Sequence, residues 1–118
     1  MSEKTMAPGA VLRIVFVGWG AMARTACRLL ADSPVEIVAV TVRAGSDPPE
    51  DLPPGADLIT SPDELASTLP DVVAETAGRD AVGPWGRAAL QTGADFIVSS
   101  ASAFADTRLL GELTEIAA

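Results

Sequence analysis

The stretch LRIVFVGWGAMA, residues 12–23, joins a strand pattern to a glycine turn and the beginning of a helix. Residues 12–17 are rich in β-branched and aromatic side chains, with Arg13 as the one charged residue, which is typical of a strand covered on both faces. Residues 21–31 are mostly helix formers with apolar side chains three and four apart, and Ser33-Pro34 favours termination. The segment therefore predicts a buried strand, a tight turn and a helix.

The same alternation continues along the chain. Further strands are predicted at 36–42, 57–60, 72–76 and 96–100, and further helices at 62–69, 82–92 and from Asp106 onward. Ser61 and Glu64 fit a capping box, and Gly93 is typical of a left-handed helix stop. The prolines of residues 43–56 predict a loop. The pattern indicates the α/β class: a Rossmann-type, doubly wound, mainly parallel sheet with helices on both faces.

The length of 118 residues fits one domain, which we place at residues 11–118, after a flexible tail at residues 1–10. No apolar run reaches the length of about 20 residues that a membrane helix needs. The net charge of −8 argues against nucleic acid or an anionic membrane as partners.

The absence of histidine excludes a large part of enzyme chemistry. A Ser-His-Asp or Cys-His nucleophile, a histidine base and a histidine-bearing zinc site are all impossible. A single cysteine, Cys27, forbids an internal disulfide and favours a reducing, cytoplasmic setting. Any proton chemistry in this chain must therefore be carried out by Asp, Glu or Lys. We predict no metal site and assign no catalytic residue.

Residues 18–23 read G-x-G-x-x-A at the junction of strand and helix, where a dinucleotide fingerprint must lie. The first glycine allows the tight turn, the second lets the backbone approach the pyrophosphate, and the small final residue permits close packing. The alternatives are a purely structural turn and, for the tryptophan, a partly exposed packing role. The predicted cofactor contacts are Gly18, Trp19, Gly20, Ala21, Met22 and Ala23.

The end of the second strand indicates which dinucleotide binds. NAD-selective sites usually place a carboxylate there, whereas an arginine accommodates a 2′-phosphate. The residues in this position are Thr41, Val42 and Arg43. We predict that Arg43 faces the adenosine end and that the domain accepts NADP as well as NAD. The alternative is a guanidinium stacked on adenine or solvated in the loop.

Two further strand ends are expected at the same crevice, because ligands of open α/β sheets bind beyond the carboxyl ends of the strands. Residues 75–78 and 99–103 offer small side chains that a nicotinamide ring and its ribose can approach. The Glu75 carboxylate either binds a ribose hydroxyl or accepts hydrogen bonds from the amides of the turn. The predicted contacts are Ala77, Gly78, Ser100, Ser102 and Ala103, and the alternative is that these are ordinary turn residues.

Residues 18–23, 72–78 and 100–106, with Ala81-Val82, together resemble the amino-terminal half of the L-aspartate dehydrogenase family. The resemblance covers about residues 12–118, and homoserine dehydrogenase is similar in this domain. It implies oxidation of L-aspartate by NAD or NADP to iminoaspartate, with hydride passing to the nicotinamide. The imine then hydrolyses to oxaloacetate and ammonia or feeds NAD biosynthesis. As cofactor contacts it supports Gly18, Gly20, Ala23 and Ala103.

In that family a catalytic histidine lies in a second, substrate-binding domain, and the resemblance implies that this chain lacks both. We therefore expect cofactor binding without turnover, and amino-acid binding only together with the second domain. Apolar surface left uncovered would favour a homo-oligomer. The alternatives are a homoserine dehydrogenase-like domain, a separate dinucleotide-binding or redox-sensing module, and a structural subunit whose glycine turn binds nothing.

Overall fold

Residues 10–118 are described by a computed structural model of the chain. Within them, five parallel strands form one sheet in the order β3-β2-β1-β4-β5, and three α-helices flank it. This arrangement confirms the predicted Rossmann-type fold. The strands are β1 Leu12–Val17, β2 Val35–Thr41, β3 Asp57–Ile59, β4 Val72–Glu75 and β5 Asp95–Val98, and the helices are α1 Ala21–Leu29, α2 Arg79–Gln91 and α3 Thr107–Ala117.

Alternate residues of β1 point to opposite faces of the sheet and bury different helices. Val15 and Val17 pack with Trp85 of α2 on one face. Phe16 packs with Ala23 of α1 on the other. The apolar residues 14–17 of β1 are therefore explained by burial on both faces, as the sequence predicts.

The chain changes direction across the sheet between β1 and β4. β1 pairs with β2 on one side, and on the other side Val17 lies opposite Glu75 of β4. The helices that follow β1 and β4 lie on opposite faces. A crevice therefore opens between the two turns at the carboxyl ends of these strands, at the topological switch point.

The α-helix predicted at residues 62–69 is wrong. Two short 3-10 turns, Pro62–Glu64 and Ala66–Thr68, occupy this segment, although the predicted capping box of Ser61 and Glu64 is present. The hydroxyl groups of Ser67 and Thr68 donate to carbonyls three residues back and so compete with helical hydrogen bonds. Leu69 then adopts a left-handed conformation with φ 51°.

The other boundaries shift by one to three residues. α1 ends at Leu29 instead of residue 31, and α2 begins at Arg79 instead of residue 82. Pro84 lies near the beginning of α2, where its missing N–H removes one hydrogen bond without ending the helix. The Asp106 cap of α3 and the left-handed Gly93 are confirmed. The predicted tail falls almost entirely on residues 1–9, outside the described residues.

Gly86 sets how closely α2 approaches α3 and β5. A Cβ added there would lie 2.8 Å from Phe96 Cε2 and 3.1 Å from Leu113 Cδ1. We expect Gly86→Ala to lower the free energy of unfolding by about 1–3 kcal/mol, because the packed neighbours must move. Urea unfolding followed by circular dichroism measures this change.

Gly111→Ala is the matched control, because Gly111 is also helical but no atom lies within 4 Å of an added Cβ. It is expected to leave stability unchanged or raise it by about 0.5–1 kcal/mol through helix propensity. Equal effects of the two substitutions would contradict the packing argument.

Candidate functional site

A cleft of about 770 Å³ opens at the carboxyl ends of β1, β2 and β4. Its walls are the three turns that follow these strands, which is where open parallel sheets bind ligands. Among the predicted site residues, it brings together Gly18, Trp19, Gly20, Arg43, Ala77 and Gly78.

The backbone conformation and the packing of the turn require a glycine at position 18. Its φ of +101° is strained for other residues, and a Cβ would lie 3.0 Å from both Cα and N of Ala77. Its amide donates to Oγ1 of the buried Thr41 at 2.9 Å. The turn after β1 is therefore held directly against the turn after β4 and tied to the end of β2.

Gly20 is different, because neither its backbone nor a contact within residues 10–118 requires a glycine there. Its backbone is extended, at φ −106° and ψ −162°, and an added Cβ would meet none of the surrounding described atoms within 4 Å. Gly20 is also the N-cap of α1, whose first turn has neither a side-chain cap nor an acidic residue. The space beside Gly20 and the uncapped amides suit a bound phosphate group.

Glu75 is buried, with 1% of its surface exposed, and its carboxyl oxygens accept four hydrogen bonds. Oε2 accepts from the amides of Ala77 and Gly78 at 2.9 and 2.8 Å and from Ser100 Oγ at 2.9 Å. Oε1 accepts from the Ser100 amide at 2.9 Å. Of the two predicted roles, Glu75 therefore takes the structural one, tying together the turns after β4 and β5.

The remaining predicted residues lie outside the cleft. Met22 is 58% exposed at the beginning of α1, beside the exposed Ala21, while Ala23 is buried against β1. Ser102 is exposed, and Ala103 is buried with Val82 and Leu113, beside a separate groove between α2 and α3. Direct cofactor contact by these residues and by Ser100 stays a prediction.

Thr41, Arg79 and Trp85 line the cleft but are absent from the predicted site. Because the sequence predicts a helix from residue 82, it leaves Arg79 in a loop and does not indicate where the side chain of Arg79 points. Thr41 carried a usable signal: it is a hydroxyl at the end of an apolar strand. Neither Arg43 nor Arg79 forms a side-chain hydrogen bond or ion pair within residues 10–118, so both guanidinium groups are available to an anion.

Residues 10–118 contain no group of three or more Cys, Asp or Glu side chains placed to hold a metal ion. None of the helices in that range is long and apolar enough to cross a membrane.

The switch-point cleft, the glycine turn and the uncapped helix define a Rossmann-type dinucleotide-binding domain. Comparison with known protein families shows which family this domain belongs to. The chain belongs to the family described as "Homoserine dehydrogenase, NAD binding domain", which matches residues 18–118. Its cofactor is accordingly a nicotinamide dinucleotide, NAD or NADP.

Curated relatives confirm the predicted resemblance to L-aspartate dehydrogenases. The L-aspartate dehydrogenase of Brucella anthropi is 51% identical over 107 residues, covering 89% of this chain and 40% of that protein. L-aspartate dehydrogenase 2 of Bordetella bronchiseptica is 38% identical over 104 residues, covering 86% and 39%. The chain spans about two-fifths of the length of these relatives and is similar to their NAD-binding part.

Solved structures show the same fold. Homoserine dehydrogenase from S. aureus superposes with a TM-score of 0.70 at 19% identity, covering 90% of this chain and 29% of that chain. Dihydrodipicolinate reductase from Paenisporosarcina gives a TM-score of 0.75 at 17% identity, covering 90% and 43%.

The Glu75 network provides a stability test. In either orientation Glu75→Gln places an amide NH2 group against a backbone N–H that can only donate, so we expect the free energy of unfolding to fall by about 1–3 kcal/mol in urea titrations. Glu115→Gln, at an exposed position of α3, removes an equal charge and is expected to change it by less than about 0.5 kcal/mol. A Glu75 variant as stable as the control would show that the network does not hold the turns.

Proposed function

We propose that this domain holds NAD or NADP for the oxidation of L-aspartate to iminoaspartate. The observation that carries the proposal is the unfilled space at Gly20 beside the first turn of α1, which has no side-chain cap. Gly18 packs directly against the backbone of Ala77 at the same place. The names of the curated relatives support aspartate as the substrate. When bound, the nicotinamide supplies the acceptor for the hydride that leaves the α-carbon of aspartate.

The chain's own residues bind and orient the cofactor. The first amides of α1 face the pyrophosphate, and Gly20 lets it approach the backbone. Ala77 and Gly78 offer small surfaces to the nicotinamide and its ribose. Arg43 lies two residues after β2, at the adenosine end, where its guanidinium pairs with a 2′-phosphate. We therefore expect the domain to bind NADP more tightly than NAD.

Substrate binding and proton transfer belong, in this proposal, to the part of the relatives that the chain does not span. Iminoaspartate then hydrolyses to oxaloacetate and ammonia or enters NAD biosynthesis. A cytoplasmic location and self-association remain predictions. The family's name favours a second candidate, a homoserine dehydrogenase-like oxidoreductase.

Cofactor binding is tested by titrating the chain with NADH and NADPH and following energy transfer from tryptophan to the nicotinamide. Gly20→Ala is expected to weaken both affinities at least tenfold, because the methyl group occupies the space needed by the phosphates. Its stability is expected to change by less than about 1 kcal/mol. Gly111→Ala, remote from the cleft, serves as the control and is expected to bind normally.

Unchanged binding by the Gly20 variant would show that the cofactor lies elsewhere. In the wild-type chain, NAD binding at least tenfold tighter than NADP binding would overturn the predicted preference.

The reaction itself is tested by following cofactor reduction at 340 nm with aspartate or homoserine. The 118-residue chain is expected to show negligible reduction with either, while a full-length protein containing it reduces the cofactor with aspartate. Measurable turnover by the 118-residue chain would contradict the assignment of catalysis to the remaining part. Reduction by the full-length protein with homoserine alone would favour the second candidate.

A further inference from the structure

A cluster of three side chains, Trp19, Arg24 and Asp51, joins the loop 43–56 to the glycine turn. Arg24 Nε donates to Asp51 Oδ2 at 2.6 Å, and Nη2 donates to Oδ1 at 3.1 Å. Trp19 Nε1 donates to the same Oδ1 at 3.1 Å. We call this cluster the Asp51 latch. It connects residues that β2 separates in the sequence.

Arg24 also holds Trp19 from a second direction. Its Nη1 donates to the Trp19 carbonyl at 2.6 Å, and its guanidinium carbon lies 5.2 Å from the centre of the indole ring. All three guanidinium nitrogens are therefore engaged within the protein. Arg24 lies in the first turn after the glycine motif, and its contacts hold that motif in place. Arg43 and Arg79 are the cations of the cleft whose guanidinium groups form no ion pair within residues 10–118.

The latch is poorly explained as a stabilising device for the fold. The side chains of Arg24 and Asp51 are 36% and 56% exposed, and ion pairs at such positions contribute little to stability. Hydrogen bonds from Arg24 and Trp19 hold the pKa of the Asp51 carboxyl well below its usual range. The contact is therefore retained as pH falls to the ordinary range of aspartate and is lost only under stronger acid.

The position of the latch connects it to cofactor selection. The loop leaves β2 at Thr41, whose side chain is tied to the Gly18 amide, and is fixed again at Asp51 and at Leu52, which packs against the α1 face. Arg43 lies between these fixed points and lines the cleft together with Trp19. The latch thus restrains both the wall of the cleft and the segment that carries Arg43.

We propose that Asp51 is a positioning residue for cofactor selection: through the latch it holds Trp19 and the loop 43–56 so that Arg43 meets the 2′-phosphate of NADP. The inference rests on the proposed function, because it takes the cleft as the dinucleotide site. The two cofactors share the pyrophosphate and nicotinamide, and they differ only at the group that Arg43 meets. Loss of the latch therefore affects NADP more than NAD.

Asp51→Asn tests the proposal, because loss of positioning and loss of the negative charge are expected to change NADPH affinity in opposite directions. Removing a negative charge near the cleft would by itself strengthen binding of the more anionic NADP. Loss of positioning is expected instead to weaken NADPH binding at least fivefold while NADH binding changes less than twofold. Arg43→Ala provides the reference, with the same selective loss of NADPH binding.

Glu50→Gln is the matched control, because Glu50 is an exposed neighbour whose side chain forms no hydrogen bond or ion pair within residues 10–118. It removes the same charge without touching the latch and is expected to leave both affinities within twofold. Acrylamide quenching of Trp19 fluorescence gives an independent readout: it should rise in Asp51→Asn and stay unchanged in Glu50→Gln, while the buried Trp85 contributes a constant background.

NADPH binding by Asp51→Asn that is unchanged or tighter overturns the inference, and so does an equal loss of both cofactors. A wild-type chain that binds neither cofactor overturns the proposed function instead. Thermal unfolding of Asp51→Asn near the wild-type temperature separates a loss of positioning from a loss of fold.

Discussion

Burying a carboxylate is costly unless hydrogen-bond donors surround it, and Glu75 is surrounded by four. These donors come from the turn after β4 and from Ser100, after β5. Their shared acceptor fixes the path of both turns. Because the backbone of Ala77 is held in this way, it can lie against Gly18, and the crevice between β1 and β4 acquires a defined shape.

The cleft that results is built mainly from backbone and small side chains. Such a surface can hold a dinucleotide closely, since amides and glycines present hydrogen bonds without bulk. Asp80, in the first turn of α2, is the carboxylate that lines it. In the proposed reaction the residues of the cleft orient the cofactor, and the chemistry on the amino acid is assigned to the part of the relatives that the chain does not span.

Much of the fold could be predicted because hydrophobic periodicity is local. The run at 12–17 coincides with β1, and the caps at Ser61 and Asp106 are present. The segment 62–69 shows where the approach fails. The capping box at Ser61 could not reveal that the hydroxyl groups of Ser67 and Thr68 would donate hydrogen bonds to backbone carbonyls, or that Leu69 would adopt a left-handed conformation. Similarly, α2 begins at Arg79, three residues before its predicted beginning at residue 82.

The fold class, the place of the glycine turn and the class of cofactor follow from the amino-acid sequence alone. Each of these depends on residues adjacent in the chain, whose spacing records which side chains are buried. The folded structure is needed to show that contacts within the protein require Gly18, that Gly20 leaves space for a ligand, that Glu75 connects two turns and that Arg24 binds Asp51. The roles of Glu75 and Arg24 depend on contacts between residues at least 25 positions apart in the sequence, Glu75 with Ser100 and Arg24 with Asp51. No local pattern encodes such contacts, because they arise only when the sheet brings the strand ends together.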